Sequence, residues 1–406
     1  MSTTAVLCYP THGHVAPKLA VVEELGRRGE RVIYYSTPRS QARIEATGAE
    51  FRPYAFPYEA FDPTPPTEGL FSDMERLLNL TKQMLPDLLG ELRALQPDYL
   101  LLDSKSIWGN LAGQILGLPA VTLSVVFALH PTLVTVEYLA PRLYGGASAE
   151  VLRRALIHLH RYVELAQEVD RCYQTHSPNV VEFLGNPQPL NIIFTSQLFQ
   201  LAGEHFDERY QFVGPSIGTR TEATDFDMTE LGDEPLVYIS MGTVFNDLPD
   251  FYRACFAALA ELPCQVVLSI GRNLDRQTLG EAPANFHLCT YAPQLQILER
   301  AALFVTHGGM NSANEGLLYG VPLLVVPQRG DQYMVAARVA ELGAGLPLFP
   351  HEVTVDRLRE RVAYLLADPN FRRQAQQVAQ SLRDAGGYQR AADEILAHVQ
   401  RVQDSR

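Results

Sequence analysis

Two histidines just behind an apolar run and an aspartate at the end of another are the residues most able to move a proton in this 406-residue sequence. Ala5 to Tyr9 reads as a short buried strand, followed by Pro10, Thr11, His12, Gly13, His14 and Val15, with Pro17 opening a helix. His14 therefore sits at the carboxyl edge of a strand beside a helix start, where open α/β sheets bind ligands. An imidazole with a pKa near ~6.5 can deprotonate an attacking alcohol near neutrality. A carboxylate on its far nitrogen would fix the tautomer and stabilise the imidazolium. Asp103, closing the run YLLLD ahead of Ser104, Lys105 and Ser106, is the candidate, although a strand-end aspartate equally reads as a helix cap.

A second group lies between Tyr291 and Gln332. Ala302 to Thr306 is a short apolar strand, broken by His307, Gly308 and Gly309, and Ser312 with Glu315 has capping-box spacing, so a helix is expected from Ser312 through Leu317 and Leu318 to Gly320. Amides at such a start, approached past two glycines, favour a diphosphate, and His307 and Ser312 can donate to the same oxygens. A strand, glycine turn and helix also occur in any doubly wound protein. Upstream, Tyr291 to Gln294 adds an aromatic-Pro-Gln element. Downstream, the strand Val321 to Val326 leads to Asp331 and Gln332, adjacent groups able to fork to hydroxyls. Ser240, Met241, Gly242 and Thr243 end another strand with small side chains that permit backbone approach to a diphosphate, as a plain βα turn also would.

These residues need two parallel sheets to hold them. In the first half, strands at Ala5–Tyr9, Arg31–Ser36, Tyr99–Asp103 and Ala120–Val125 alternate with helices at Ala16–Arg28 and Trp108–Leu116. The pattern restarts at Leu236–Ser240 and Gln265–Ile270. Between the halves, Gly218 to Pro235 is polar, acidic and turn-rich, which marks a linker and gives domains 1–217 and 236–385. An amphipathic helix at 388–402 follows Gly386 and Gly387. Residues Phe51 to Phe71 and Leu129 to Gly146 read as long loops walling a pocket.

Composition excludes several classes. A 47% hydrophobic, 19% charged chain of this length suits a two-domain globular enzyme, and a net charge of -13 argues against nucleic acid and anionic lipid. Five scattered cysteines without CxxC spacing point to reduced thiols, not a zinc site or disulfides. No signal peptide or membrane span is legible, so a soluble cytoplasmic protein is expected. Asp225 and Asp227 form a DFD triplet, but in the linker they read as solvated charge, and no metal is expected.

The Tyr291–Gln332 segment resembles the donor signature of the UDP-glycosyltransferase superfamily with the GT-B fold, in the bacterial macrolide glycosyltransferase-like branch. An aromatic-x-Pro-Gln element, a THxGxNS-x-x-E core, a GVP strand and a closing Asp-Gln occur here in the family's order. The resemblance implies two Rossmann-like doubly wound domains facing a cleft, with helix 388–402 passing back onto the first. It implies that Tyr291 faces uracil, Gln294 assists with nucleoside polar groups, Glu315 holds the ribose, and His307, Gly309, Asn311 and Ser312 hold phosphate. Ser240, Gly242 and Thr243 would approach the diphosphate, and Asp331 and Gln332 would grip sugar hydroxyls. The family's GHxxP pattern matches Gly13, His14 and Pro17, which makes His14 and not His12 the general base, with Asp103 its partner. Tyr291 departs from the plant-type pattern, which has Trp there, so thymidine stays open beside uridine.

The implied activity is inverting, metal-independent and cofactor-free transfer of a hexose, glucose foremost, from a UDP-sugar to a hydroxyl of a lipophilic small molecule. The aromatic stretch Phe51 to Phe71 suggests the lipophilic acceptor, and Asp331 with Gln332 a fully hydroxylated sugar. A membrane-lipid glycosyltransferase, a TDP-deoxysugar natural-product glycosyltransferase, a sugar-nucleotide epimerase and a non-catalytic sugar-nucleotide binder are the rivals.

Overall fold

The computed structural model describes residues 2–61, 69–130, 149–218, 224–243 and 246–405. The chain forms two compact units, one of Met1–Gly218 with Ala385–Arg406 and one of Thr219–Asp384.

In the first unit the described strands are β1 (Thr3–Leu7), β2 (Arg31–Ser36), β3 (Glu50–Pro53), β4 (Tyr99–Asp103), β5 (Ala120–Ser124), β6 (Leu190–Ile193) and β7 (Tyr210–Phe212). They form one sheet of order β3-β2-β1-β4-β5-β6-β7, parallel throughout. Helices cover both faces, which is why β4 can be apolar without alternation. Leu100 and Leu102 turn to one face, with Leu77, Leu78 and Leu85 of helix Leu70–Leu95 and with Trp108. Tyr99 and Leu101 turn to the other, with Val21 and Leu25 of helix His12–Arg27 and Ile395 of the carboxyl-terminal helix Gly387–Asp404. Arg28 also pairs with Asp393 of that helix.

The strand order reverses between β1 and β4, because the chain builds β2 and β3 on one side of β1 before placing β4 on the other. Ligand crevices open outside the carboxyl ends of strands at such a point. The helix after β1 begins at His12, earlier than the sequence suggests, and Pro17 lies within it. Prolines favour the first turn because the amide they lack there has no helical partner, and that preference had placed the start too late.

The second unit repeats the plan with β8 (Leu236–Ser240), β9 (Gln265–Ser269), β10 (Phe286–Cys289), β11 (Ala301–Thr306), β12 (Leu323–Val325) and β13 (Gly345–Pro347). Its order is β10-β9-β8-β11-β12-β13, again parallel, with the reversal between β8 and β11. Val237, Ile239, Val266, Leu268, Val305 and Leu324 pack against Tyr252, Leu358 and Val362 of the flanking helices.

Of the two segments expected to wall a pocket, residues 62–68 and 131–146 lie outside the described residues, as do 219–223 of the expected linker. Tyr54 and Phe61 are core: they are 7% and 0% exposed and pack on each other and on Trp108. Aromatic content in that stretch had suggested an acceptor wall, but these two rings are used to fill the first unit.

Candidate active site

At the reversal point of the first unit, the helix after β1 carries His14 and β4 ends on Asp103. His14 Nδ1 lies 2.9 Å from both carboxylate oxygens of Asp103. The imidazole is 13% exposed and the carboxylate fully buried. With Nδ1 donating to Asp103, Nε2 is the nitrogen that can accept a proton. The neighbouring His12 is exposed and pairs instead with Arg43 at 3.0 Å. Lys105 N donates to Asp103 Oδ1 at 2.8 Å, and the Tyr9 ring meets His14 edge-on at 5.2 Å.

A third titratable group completes this cluster. Lys18 Nζ, fully buried, donates to Asp103 Oδ2 and, at 2.9 Å, to the His14 carbonyl. Lys18 follows His14 by four residues, one helical turn, so both side chains leave the same helix face toward one carboxylate. Burial alone would push the Asp103 carboxyl up, but His14 and Lys18 outweigh it and hold the group well below the usual carboxylate range. Burial lowers the His14 pKa, and the cations Lys18 and Lys105 lower it further against the opposing pull of Asp103.

The second unit builds its site at the β8/β11 reversal. Thr306 stands opposite Ser240 in register, so the loops after the two strands lie side by side. Both loops close on the His307 ring. A Cβ on Gly242, whose φ is +80°, would come within 2.6 Å of His307 Cε1, and one on Gly309 within 2.5 Å of Nε2. Glycine is therefore required sterically at both places. Thr243, one residue on, is exposed, and Ser240 is buried at the strand end. Burial pushes the His307 imidazole down to about 4. Burial thus favours the neutral ring.

The helix here runs Met310–Leu318, not from Ser312, with Gly309 at the N-cap and no side-chain cap. Ala313 N to Gly309 O, at 2.9 Å, is its first bond, so Asn311 and Ser312 lie within the first turn, whose amides suit an anion. The Ser312–Glu315 spacing had suggested a capping box, but Glu315 is committed elsewhere. Gln294 Nε2 donates to Glu315 Oε2 at 2.6 Å while its Oε1 accepts from the Tyr238 hydroxyl at 3.2 Å. The amide thus positions Glu315, and each of its ends keeps capacity for one more hydrogen bond.

Tyr291 is held by its backbone. Asp225 accepts from Thr290 N at 2.9 Å and Tyr291 N at 2.8 Å, and Asp227 caps Thr229 N at 2.9 Å. The acidic pair is thus structural, not merely solvated. The Arg272 guanidinium lies 4.9 Å from the Tyr291 ring centroid, close enough for a cation–π contact. Asp331 is exposed at the N-cap of helix Gln332–Glu341. Gln332 Oε1 accepts from Gln328 N at 2.8 Å and Arg329 N at 3.2 Å, so its carbonyl shapes the loop and only its amide nitrogen is left to address a sugar.

Comparison with known proteins gives this pair of sites its context. Residues 253–389 match the family described as "Erythromycin biosynthesis protein CIII-like, C-terminal domain". The chain is 34% identical to the uncharacterized UDP-glucosyltransferase YojK of Bacillus subtilis over 100% of its own length and 99% of that protein's. This chain belongs to the UDP-glycosyltransferase superfamily, in its bacterial macrolide branch. The NDP-glycosyltransferase YjiC of the same organism is 35% identical over 97% of this chain and 96% of its own. The crystal structure of the glycosyltransferase of kitacinnamycin superposes with a TM-score of 0.82 at 31% identity, covering 98% of each chain. The fold is GT-B, and the protein is a glycosyltransferase of the macrolide and natural-product type.

Two parts of this glycosyltransferase were not legible in its sequence. Lys18 reads as an ordinary solvated helix lysine, and only its spacing of four from His14 could have singled it out. Arg272 follows Gly271 after β9 with no pattern linking it to Tyr291. Among the described residues no helix is long and apolar enough to cross a membrane.

Proposed function

We propose that the glycosyltransferase moves a hexose, glucose foremost, from a UDP-sugar to a hydroxyl of a lipophilic small molecule, with inversion and without a metal or cofactor, in the cytoplasm. The observation that carries this is the His14–Asp103 contact of 2.9 Å at the β1/β4 reversal. His14 Nε2 takes the acceptor hydroxyl proton as that oxygen bonds to the anomeric carbon, the bond to the diphosphate oxygen breaks, and UDP leaves with the electron pair. Asp103 holds the tautomer and stabilises the imidazolium. Diphosphate charge meets the first-turn amides of helix Met310–Leu318, approached past Gly242 and Gly309, in place of a cation. Glu315, fixed by Gln294, takes the ribose hydroxyls, and Tyr291 with Arg272 the base. Asp331 and the amide nitrogen of Gln332 address the sugar. The partners are a sugar nucleotide and a hydroxylated aglycone, with no nucleic acid.

One observation favours a second reading, a TDP-deoxysugar donor. Because the Gln332 carbonyl is committed to its own loop, fewer polar groups are left to demand a fully hydroxylated sugar. A panel of UDP and TDP sugars, with and without EDTA, against pooled hydroxylated aglycones and read by mass shift decides between them. Gain of one hexosyl unit from a UDP-sugar, unaffected by EDTA, is the expected result. Transfer from TDP-deoxysugars alone would overturn the donor assignment, and full acceptor-dependent activity in His14→Ala would overturn the mechanism.

A further inference from the structure

We propose that Lys18 is a positioning residue that sets the basicity of His14 by neutralising Asp103, so that the base stays unprotonated in mildly acidic solution. The inference rests on the reading of His14 as the base. A fully buried carboxylate facing a neutral imidazole alone would be an uncompensated charge in a site of low dielectric. Lys18 supplies the compensation from the same helix face, with its ammonium on Asp103 Oδ2 and on the His14 carbonyl. Neither group of this ion pair is exposed, so solvent does not screen it.

A simple aspartate–histidine pair stabilises imidazolium and makes histidine a stronger base that is blocked at mild acidity. Here the same carboxylate is already matched by one positive charge, and a second, on His14, gains less. The other groups facing the cluster include one opposing charge, Asp73, whose carboxylate lies 3.9 Å from Lys105 Nζ. Lys105, after β4, adds a further positive charge near His14. Cys8 on β1 and Tyr34 on β2 are buried, and burial pushes the Cys8 thiol up to about 12 and the Tyr34 hydroxyl well above its ordinary value, so both stay neutral. Tyr9 offers His14 a ring edge-on. The consequence is an acidic limb of the pH–rate profile displaced downward.

The test is the pH dependence of kcat/KM in the full chain and in Lys18→Met, which keeps an unbranched buried side chain and removes the charge. The acidic limb is expected to move up by roughly one to two pH units in the variant, the size of shift that one nearby charge produces. A role in packing alone would lower the rate or the stability and leave the limb in place, and a folded Lys18→Met with an unmoved limb overturns the proposal. Should Lys18→Met not fold, Lys18→Gln takes its place, and histidine-selective NMR compares its His14 midpoint with the parent's, the signal being assigned by its loss in His14→Ala. A higher midpoint in Lys18→Gln supports the proposal, and an unchanged one refutes it. This titration needs no turnover, so it fails or succeeds separately from the general-base reading, which His14→Ala kinetics test.

Discussion

Asp103→Asn separates what the carboxylate does for catalysis from what it does for the fold. The substitution keeps the shape and removes the charge. Asparagine can still accept from Lys105 N through its oxygen, where Asp103 Oδ1 does so at 2.8 Å. Its NH2 group then faces His14 Nδ1 and the Lys18 ammonium, both of which donate to Asp103. His14 Nδ1, 2.9 Å from both oxygens of the parent carboxylate, then meets a donor in place of one acceptor and loses the adjacent negative charge, which favours the Nε2–H tautomer that cannot act as a base. The equivalent exchange in a serine-protease triad lowers kcat about 10⁴-fold, so a loss of roughly 10³ to 10⁴ in kcat/KM, about 4 to 5.5 kcal/mol, is expected here. The Lys18 ammonium is at the same time left buried without its counter-charge, which costs about 3 to 5 kcal/mol of stability. Initial rates of UDP release with a competent donor and acceptor give the first quantity, and urea unfolding gives the second. Asp103→Asn/Lys18→Met should recover most of the stability and none of the activity. A folded Asp103→Asn enzyme within about tenfold of the parent rate would refute the assignment of Asp103 as the partner of the base.

Four further outcomes are expected. Gly309→Ala places a Cβ 2.5 Å from His307 Nε2 and should raise the donor KM on the order of tenfold, with calorimetric UDP titration showing the same loss; unchanged affinity would remove this loop from the diphosphate site. Gln294→Ala frees the Glu315 carboxylate from a 2.6 Å hydrogen bond and should weaken donor binding by about 1.5 to 3 kcal/mol while leaving acceptor KM unaltered. Ile395→Ala removes a fully buried side chain from the first unit and should cost about 2 to 5 kcal/mol in urea unfolding, with little change in kcat at low temperature. His307 has its folded pKa depressed to about 4 from 6.5, so the unfolded chain binds the extra proton first. Its contribution to stability is complete above about pH 6.5 and is lost as pH falls toward about 4. His307→Asn should flatten the stability curve in that window, and an identical slope would show that His307 titrates normally.

Strand runs such as YLLLD and the restart at Leu236 were plain in the sequence because parallel strands buried on both faces leave no polar alternation to confuse them. His14 and Asp103 were read as lying at strand ends, but which strands are neighbours, and so where the order reverses, came from the structure alone. Helix starts were harder to read. At His12 and Met310 the first turn is entered without a side-chain cap, so the capping residues used to find starts pointed to Pro17 and Ser312 instead. Side-chain commitments were hardest of all. Nothing local says that Gln294 bonds to Tyr238 and Glu315, 56 and 21 residues away in the chain. Lysine is so rarely buried that, apart from its spacing of four from His14, nothing marked Lys18 until the structure set it against Asp103.

The placement of residues 385–406 in the first unit has a consequence for how the protein is made. That unit is interrupted by the whole of the second, so a ribosome synthesising about 5 to 20 residues per second spends roughly ten to thirty seconds on the insertion before the missing helix can emerge. Until then Val6, Val21, Leu25 and Leu101 lack the cover of Ala391, Ile395 and Val399, and a nascent chain in that interval presents an open apolar face. Chaperone-bound ribosome complexes stalled before and after residue 385 should therefore differ in holdase occupancy, with release coinciding with the arrival of the last helix.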